Sequence, residues 1–339
     1  MAVAPLLGAV VSVRVFVSLA LALAAAAPAH AELYYLIVGG LGGEAEYQER
    51  FDADTKALAA VARRTAGESR VLVLTGEGAT REALVKSLGS LRTRAKAADT
   101  LAVVLVGHGS FDGESYKLNL PGPDIDGDEF AKLLAAIPAR SQLIVNATSA
   151  SGAVLEKWAA EGRTLITATR SGFERNATRF AQHWASALAN GSADINKNGV
   201  ITAQEAFDYA SREVADSFEK EGTLATEHPQ IAGGAAARFT VARLASAAPA
   251  AAAAAADPAV AALVAERDKL DAEIEALRGR RAEMETDAYL NELQRLLVQL
   301  AEVQGKIDAA QPAAAPVAPP TPITPPVQLD RPVPQEAQL

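Results

Sequence analysis

Five short apolar runs, largely β-branched, recur along the first two thirds of the chain. They are LYYLIVGG (33–40), RVLVLTG (70–76), LAVVLVGHG (101–109), QLIVNAT (142–148) and TLITATR (164–170). Near-continuous apolarity, rather than alternation, marks strands covered on both faces, as in a parallel sheet. Between them ERFDADTKALAAVARR, TREALVKSLGSLRTRA, GDEFAKLLAAI and GAVLEKWAAEG place apolar residues at helical spacing. Strand–helix alternation predicts an α/β domain over residues 32–245 with a doubly wound, mostly parallel sheet. Ligands of such sheets bind beyond the C-terminal strand ends. His108 and Ser149 both fall there.

The pattern changes after Ala245. Residues 246–257 are an Ala-rich, low-complexity linker, and residues 258–310 are charged and helical. Leu263, Leu270, Ile274, Leu277 and Met284 share one 3–4 register; Leu290, Leu293, Leu297, Leu300 and Ile307 share a second. The two do not join in phase, which predicts a helical hairpin or an interrupted coiled coil, and a homo-oligomer through 258–310 as one use for it. A single amphipathic helix packed on the domain is the other reading. Residues 311–339 are Pro-rich, extended and disordered by composition.

At the other end, Arg14, an apolar run from Val15 to Ala27 and the triplet Ala29-His30-Ala31 read as a signal peptide over 1–31, cut after Ala31. The run is too short for a membrane anchor, so the expected product is periplasmic or secreted, with no stable membrane insertion after cleavage. The formal net charge is −9, and losing Arg14 makes it one unit more negative. An acidic exported chain argues against nucleic-acid partners. The chain has no cysteine, so disulfides, thiol catalysis and thiolate metal sites are excluded.

His108 stands out among the histidines. His183 lies in a helical pattern and His228 in a loop, whereas VVLVGHGSFDG sets His108 between glycines just past a buried strand. Glycines there let the backbone turn sharply and approach a ligand closely. The next strand delivers Ser149 in ATSASG.

In these residues the chain resembles the caspase-like and legumain-like cysteine peptidases. VGHGS matches that family's His turn, and ATSASG matches its nucleophile turn with Ser149 where the family has cysteine. The separation is close to the roughly 50 residues of caspase signatures. LNLPGPDI, TATRSG and EHPQI agree in order, and the likeness spans about residues 33–234. The resemblance implies a caspase-like α/β/α sandwich, a peptide or protein ligand, catalytic places at His108 and Ser149, and an oxyanion hole from the N–H groups of Ser149 and Gly109. The departure at Ser149 leaves two expectations. One is a pseudo-peptidase that keeps a His-containing cleft for binding. The other is a serine-variant hydrolase, peptidase or esterase, with Ser149 as nucleophile and His108 as base. A hydroxyl needs a base in direct hydrogen-bond reach, and commonly a carboxylate to orient the imidazole. Asp112 is the nearby candidate orienter, though Asp-Gly is equally a turn former.

DINKNGVITAQE (194–205) fits the EF-hand loop at each ligand position. Asp194, Asn196, Asn198, the Val200 carbonyl, Thr202 and Glu205 are the expected ligands, with Gly199 at the sharp turn. Oxygen donors at this spacing select Ca²⁺. With two carboxylates in the set, a weak structural clip is expected, with a dissociation constant of roughly 10⁻⁴ to 10⁻³ M. An Asx-rich loop capping the next helix is the metal-free reading.

Overall fold

The computed structural model describes residues 31–244 and 257–310; the segment expected to be a signal peptide, the Ala-rich linker and the Pro-rich tail fall outside the described residues, save for Ala31 and Asp257. The chain divides into two compact units, 1–248 and 249–339.

The first unit is α/β, and its central sheet is mostly parallel. β1 (Leu33–Gly39), β2 (Val71–Leu74), β3 (Thr100–Val106), β7 (Ser141–Asn146), β8 (Arg163–Thr167) and β10 (Gln230–Ala232) lie in the order β10-β8-β7-β3-β1-β2, and only β10 runs antiparallel. All five predicted strands are present. Their unbroken apolarity has a direct cause: alternate residues enter cores on opposite faces. Tyr35, Ile37, Val104, Val106, Leu143 and Val145 meet one set of helices. These are α1 (Ala45–Ala66), α4 (Phe180–Asn190) and α5 (Ala203–Glu221). Leu36, Val38, Val103, Leu105 and Ile144 meet α2 (Arg81–Arg94), α3 (Gly127–Ala135) and Trp158 on the other face.

Helix starts follow local chemistry. Thr80 accepts the Ala83 N–H at 3.2 Å, Asp126 accepts that of Asp128 at 2.8 Å, and Thr202 with Glu205 forms a capping box. One expected helix does not form. GAVLEKWAAEG becomes a 3-10 turn (Ser151–Val154) followed by turns, because Trp158 is pulled into the core. Its indole N–H donates to the Gly127 carbonyl at 2.9 Å, and its own carbonyl takes the Arg163 guanidinium at 2.7 Å. Two small sheets were also not read from the sequence. β4 (Gly109–Phe111), β5 (Tyr116–Leu118) and β6 (Ile125–Asp126) follow the His108 turn; β9 (Val200–Thr202) pairs with β11 (Thr240–Arg243).

The second unit holds α6 (Pro258–Gly279) and α7 (Thr286–Ala310), which pack on each other as a hairpin. Leu270, Ile274 and Leu277 are buried as expected. On α7 the expected Ile307 is buried and Leu293 and Leu300 pack against the same cluster, but two positions are corrected: Leu290 and Leu297 are exposed, and Tyr289, Leu296 and Val303 are buried instead. Tyr289, Leu296 and Val303 repeat every seven residues, and the aromatic at 289 outcompetes Leu290 for the seam. Among the described residues no helix is long and apolar enough to cross a membrane.

Candidate functional site

The two singled-out turns leave neighbouring strands. β3 and β7 are parallel and paired from Thr100↔Ser141 to Leu105↔Asn146, so the residues that follow them emerge at the same end of the sheet. Gly107 takes φ +140° against Gly40, a conformation that L side chains rarely adopt. Gly109 sits against the second turn: a Cβ there would lie 2.5 Å from the Ser149 carbonyl oxygen and 2.7 Å from Thr148 Oγ1. His108 and Ser149 are therefore carried on abutting backbones.

Their side chains do different things. The His108 ring packs edge-on to Tyr47 and Phe51 of α1, with centroids 5.1 Å from each. Burial there lowers its pKa, against a backbone hydrogen bond at Gly42 that raises it. Ser149 is 1 % exposed, and its hydroxyl is buried with no hydrogen-bond partner. Asp112 is exposed, and its Oδ1 accepts the N–H groups of Glu114 and Ser115 at 2.9 and 2.8 Å, holding the β4–β5 turn. The same bonds lower its pKa. Asn119 N–H donates to the His108 carbonyl, so Gly109 opposite Leu118 occupies a non-hydrogen-bonded pair of the β4–β5 ladder. That leaves the Gly109 N–H turned away from β5.

The Ser149 turn is pinned from below and from the side. Asn146 Oδ1 accepts from Thr148 Oγ1 at 2.8 Å, and the Tyr116 hydroxyl meets Thr148 Oγ1 at 2.6 Å. Ala150, left-handed at φ 57°, donates its N–H to the Glu174 carbonyl at 2.8 Å. Thr178 Oγ1 donates to the Ala147 carbonyl at 2.5 Å, and Arg50 donates to the Thr178 carbonyl at 3.0 Å. Sequence reasoning missed these partners, and also Glu227. The Glu227 carboxylate accepts Arg179 N–H at 2.7 Å and Phe180 N–H at 2.8 Å, capping α4 from 47 residues away. Its neighbour His228 meets Glu174 Oε1 through Nδ1 at 2.6 Å. EHPQI was the only signal.

Two buried carboxyls flank this region. Burial pushes Glu227 up to about 7 against the pull of its two N–H donors, and pushes Asp54 up to about 6 against Arg50. A carboxyl raised above its unfolded value binds more protons when folded, so stability falls as pH rises. The window runs from the unfolded carboxylate range, ~4, to about 7. Urea midpoints are expected to be higher at pH 5 than at pH 7.5, and Glu227→Gln is expected to shrink the difference. Equal slopes in both proteins would remove Glu227 as the cause.

The acidic loop joins α4 to α5. Asp194 Oδ1 and Oδ2 accept N–H bonds from Asn198 (3.1 Å) and Gly199 (2.9 Å), Asn196 Oδ1 accepts from Asn198, and Asn198 Oδ1 accepts from Val200. Glu205 Oε2 accepts from the Thr202 N–H at 3.0 Å and its hydroxyl at 2.9 Å. Ile201 is fully buried, and β9 finds its partner in β11 rather than in a second such loop. Asp194 and Glu205 are 4 and 9 % exposed. No three His, Cys, Asp or Glu side chains converge as a metal cluster among the described residues. The loop's other donors are amide, hydroxyl and carbonyl oxygens, which suit a hard cation.

No protein-family model and no curated protein matches this chain. Among solved structures it is similar to protein GSU0716 from Geobacter sulfurreducens, at 12% identity and a TM-score of 0.42, over 59% of this chain and 92% of that one.

Proposed function

We propose that the chain is an exported, caspase-like pseudo-peptidase: a binding module for a peptide or protein ligand at the His108–Ser149 rim. The observation that carries this reading is the Ser149 hydroxyl, buried and without a hydrogen-bond partner although its turn abuts the His108 turn. A serine nucleophile needs a base within about 3.2 Å. Here the imidazole is packed on α1 and the nearest proposed orienter caps its own turn. Kinship with the peptidase family is supported by the order of the motifs and by the emergence of both turns at one sheet end. In this reading the loop 194–205 is a calcium clip between α4 and α5, and the hairpin 258–310 recruits a second copy. Leu290, Leu297 and Val298, all exposed on α7, favour that last role.

A fluorophosphonate probe separates binding module from serine hydrolase. Intact mass and peptide mapping of the folded protein are expected to show no adduct on Ser149. A stoichiometric adduct there, abolished by His108→Ala, would sink the binding reading and establish the serine-variant hydrolase.

A further inference from the structure

Glu32 is gripped before β1 begins. Its backbone N–H donates to Asp99 Oδ1 at 2.9 Å, and its carbonyl accepts the Thr100 N–H at 2.8 Å. Its side chain takes an ion pair from Arg70 at 2.6 Å and a hydrogen bond from the Tyr34 hydroxyl at 3.1 Å. Asp99 is 4 % exposed, and its second oxygen accepts the Lys96 N–H at 2.8 Å. Among the described residues no Lys, Arg or His side chain comes within 4.0 Å of it as an ion pair. Its direct partners are neutral backbone donors, and the Arg70 guanidinium, paired with Glu32, acts on it only from beyond ion-pair distance. Ala31, one residue earlier, is exposed. The Ala31–Glu32 peptide bond thus has one side in solvent and the other in a carboxylate-lined socket.

We propose that Asp99 is the receptor for a new α-ammonium group on Glu32, made when an export-coupled endopeptidase hydrolyses the Ala31–Glu32 bond. The proposal rests on the export reading above. Water supplies the missing atoms: the C–N bond breaks, and the departing segment keeps Ala31 as a carboxylate. The Glu32 nitrogen retains the bond's electron pair and takes up protons. One neutral N–H donor becomes a three-proton cation at the same nitrogen, 2.9 Å from Asp99 Oδ1. The bond to the carboxylate, already charge-assisted through its acceptor, becomes an ion pair with both partners charged and without rearrangement. Processing then does more than free the chain: it puts a cation in direct contact with Asp99, which no side chain among the described residues does.

The test compares full-length mature protein beginning at Glu32, released from a fusion without extra residues, with the same protein carrying one additional alanine. The alanine moves the cation off the socket and restores a neutral amide at Glu32. The Glu32-start form is expected to melt ~3–6 °C higher at pH 7. Asp99→Asn is expected to erase the difference. An amine whose pKa is raised in the folded state contributes fully below its unfolded value, ~8, and loses that contribution as pH rises through the folded value. The gap should therefore close in alkali. Because Asp99→Asn can also loosen the fold, the α-amino pKa of the wild-type Glu32-start protein is measured by NMR, and a value about one unit or more above 8 is expected. Equal melting temperatures, or an amine titrating at its ordinary value, would overturn the socket. Terminal sequencing of the exported protein tests the processing step separately: Glu32 first supports it, and any other first residue overturns it whatever the melting comparison gives.

Discussion

Gly109→Ala will destabilise the first unit by about 3 kcal/mol, near the upper end of what overpacking ordinarily costs. The new methyl would stand 2.5 Å from the Ser149 carbonyl oxygen, 2.6 Å from Tyr116 Cε2 and 2.7 Å from Thr148 Oγ1. None of the three can yield easily. The carbonyl belongs to backbone held next to left-handed Ala150, and Tyr116 is packed edge-on to Trp158 at 5.9 Å. Thr148 is locked between Asn146 and Tyr116. The two turns must part, so the proposed ligand binding at the rim should fail before global unfolding does. Urea denaturation, followed by the fluorescence of the two buried tryptophans Trp158 and Trp184, measures the loss of stability. A variant as stable as the parent would mean that the His108 and Ser149 turns do not abut.

Calcium at 10 mM will raise the melting temperature of the first unit by roughly 3–10 °C. That range follows from a dissociation constant of roughly 10⁻⁴ to 10⁻³ M and stabilisation by mass action of about 1.4–2.7 kcal/mol. Magnesium at the same concentration should do much less, because its small octahedral shell suits the loop poorly. Glu205→Gln is the informative variant. Its amide oxygen can still accept from the Thr202 N–H and hydroxyl that Glu205 Oε2 serves, so the capping box survives while the bidentate anionic ligand is lost. The variant is expected to melt close to the parent without calcium and to lose most of the calcium shift. An unmoved parent in 10 mM calcium would dispose of the metal and leave the loop as a helix cap.

What the sequence made legible was governed by near neighbours. Val103 and Val104 point to opposite cores, so both faces of β3 had to be apolar, and the run announced a buried strand. The capping of α5 was readable for the same reason, since Thr202 and Glu205 are three residues apart. The contacts that decide the site join distant segments. Glu227 caps α4, Arg50 holds Thr178, and Trp158 reaches Gly127; no local spacing encodes any of them. Trp158 shows how such a contact overrides a pattern, since one buried indole replaced an expected helix by turns. On α7 the error was a choice between adjacent apolar residues, Tyr289 and Leu290, which periodicity alone ranks equally.

The pairing of β9 with β11 also constrains when this unit can come together. Tyr35, in the first strand, donates its hydroxyl to the carbonyl of Val241, in the last. Thr240–Arg243 supply the only strand partner of Val200–Thr202 among the described residues. The Tyr35–Val241 bond closes over 206 residues of chain, so its loop-closure entropy must be overcome before the contact can form. A nascent polypeptide stopped short of Val241 would hold every residue of the His108–Ser149 rim and still lack the clasp that joins its two ends.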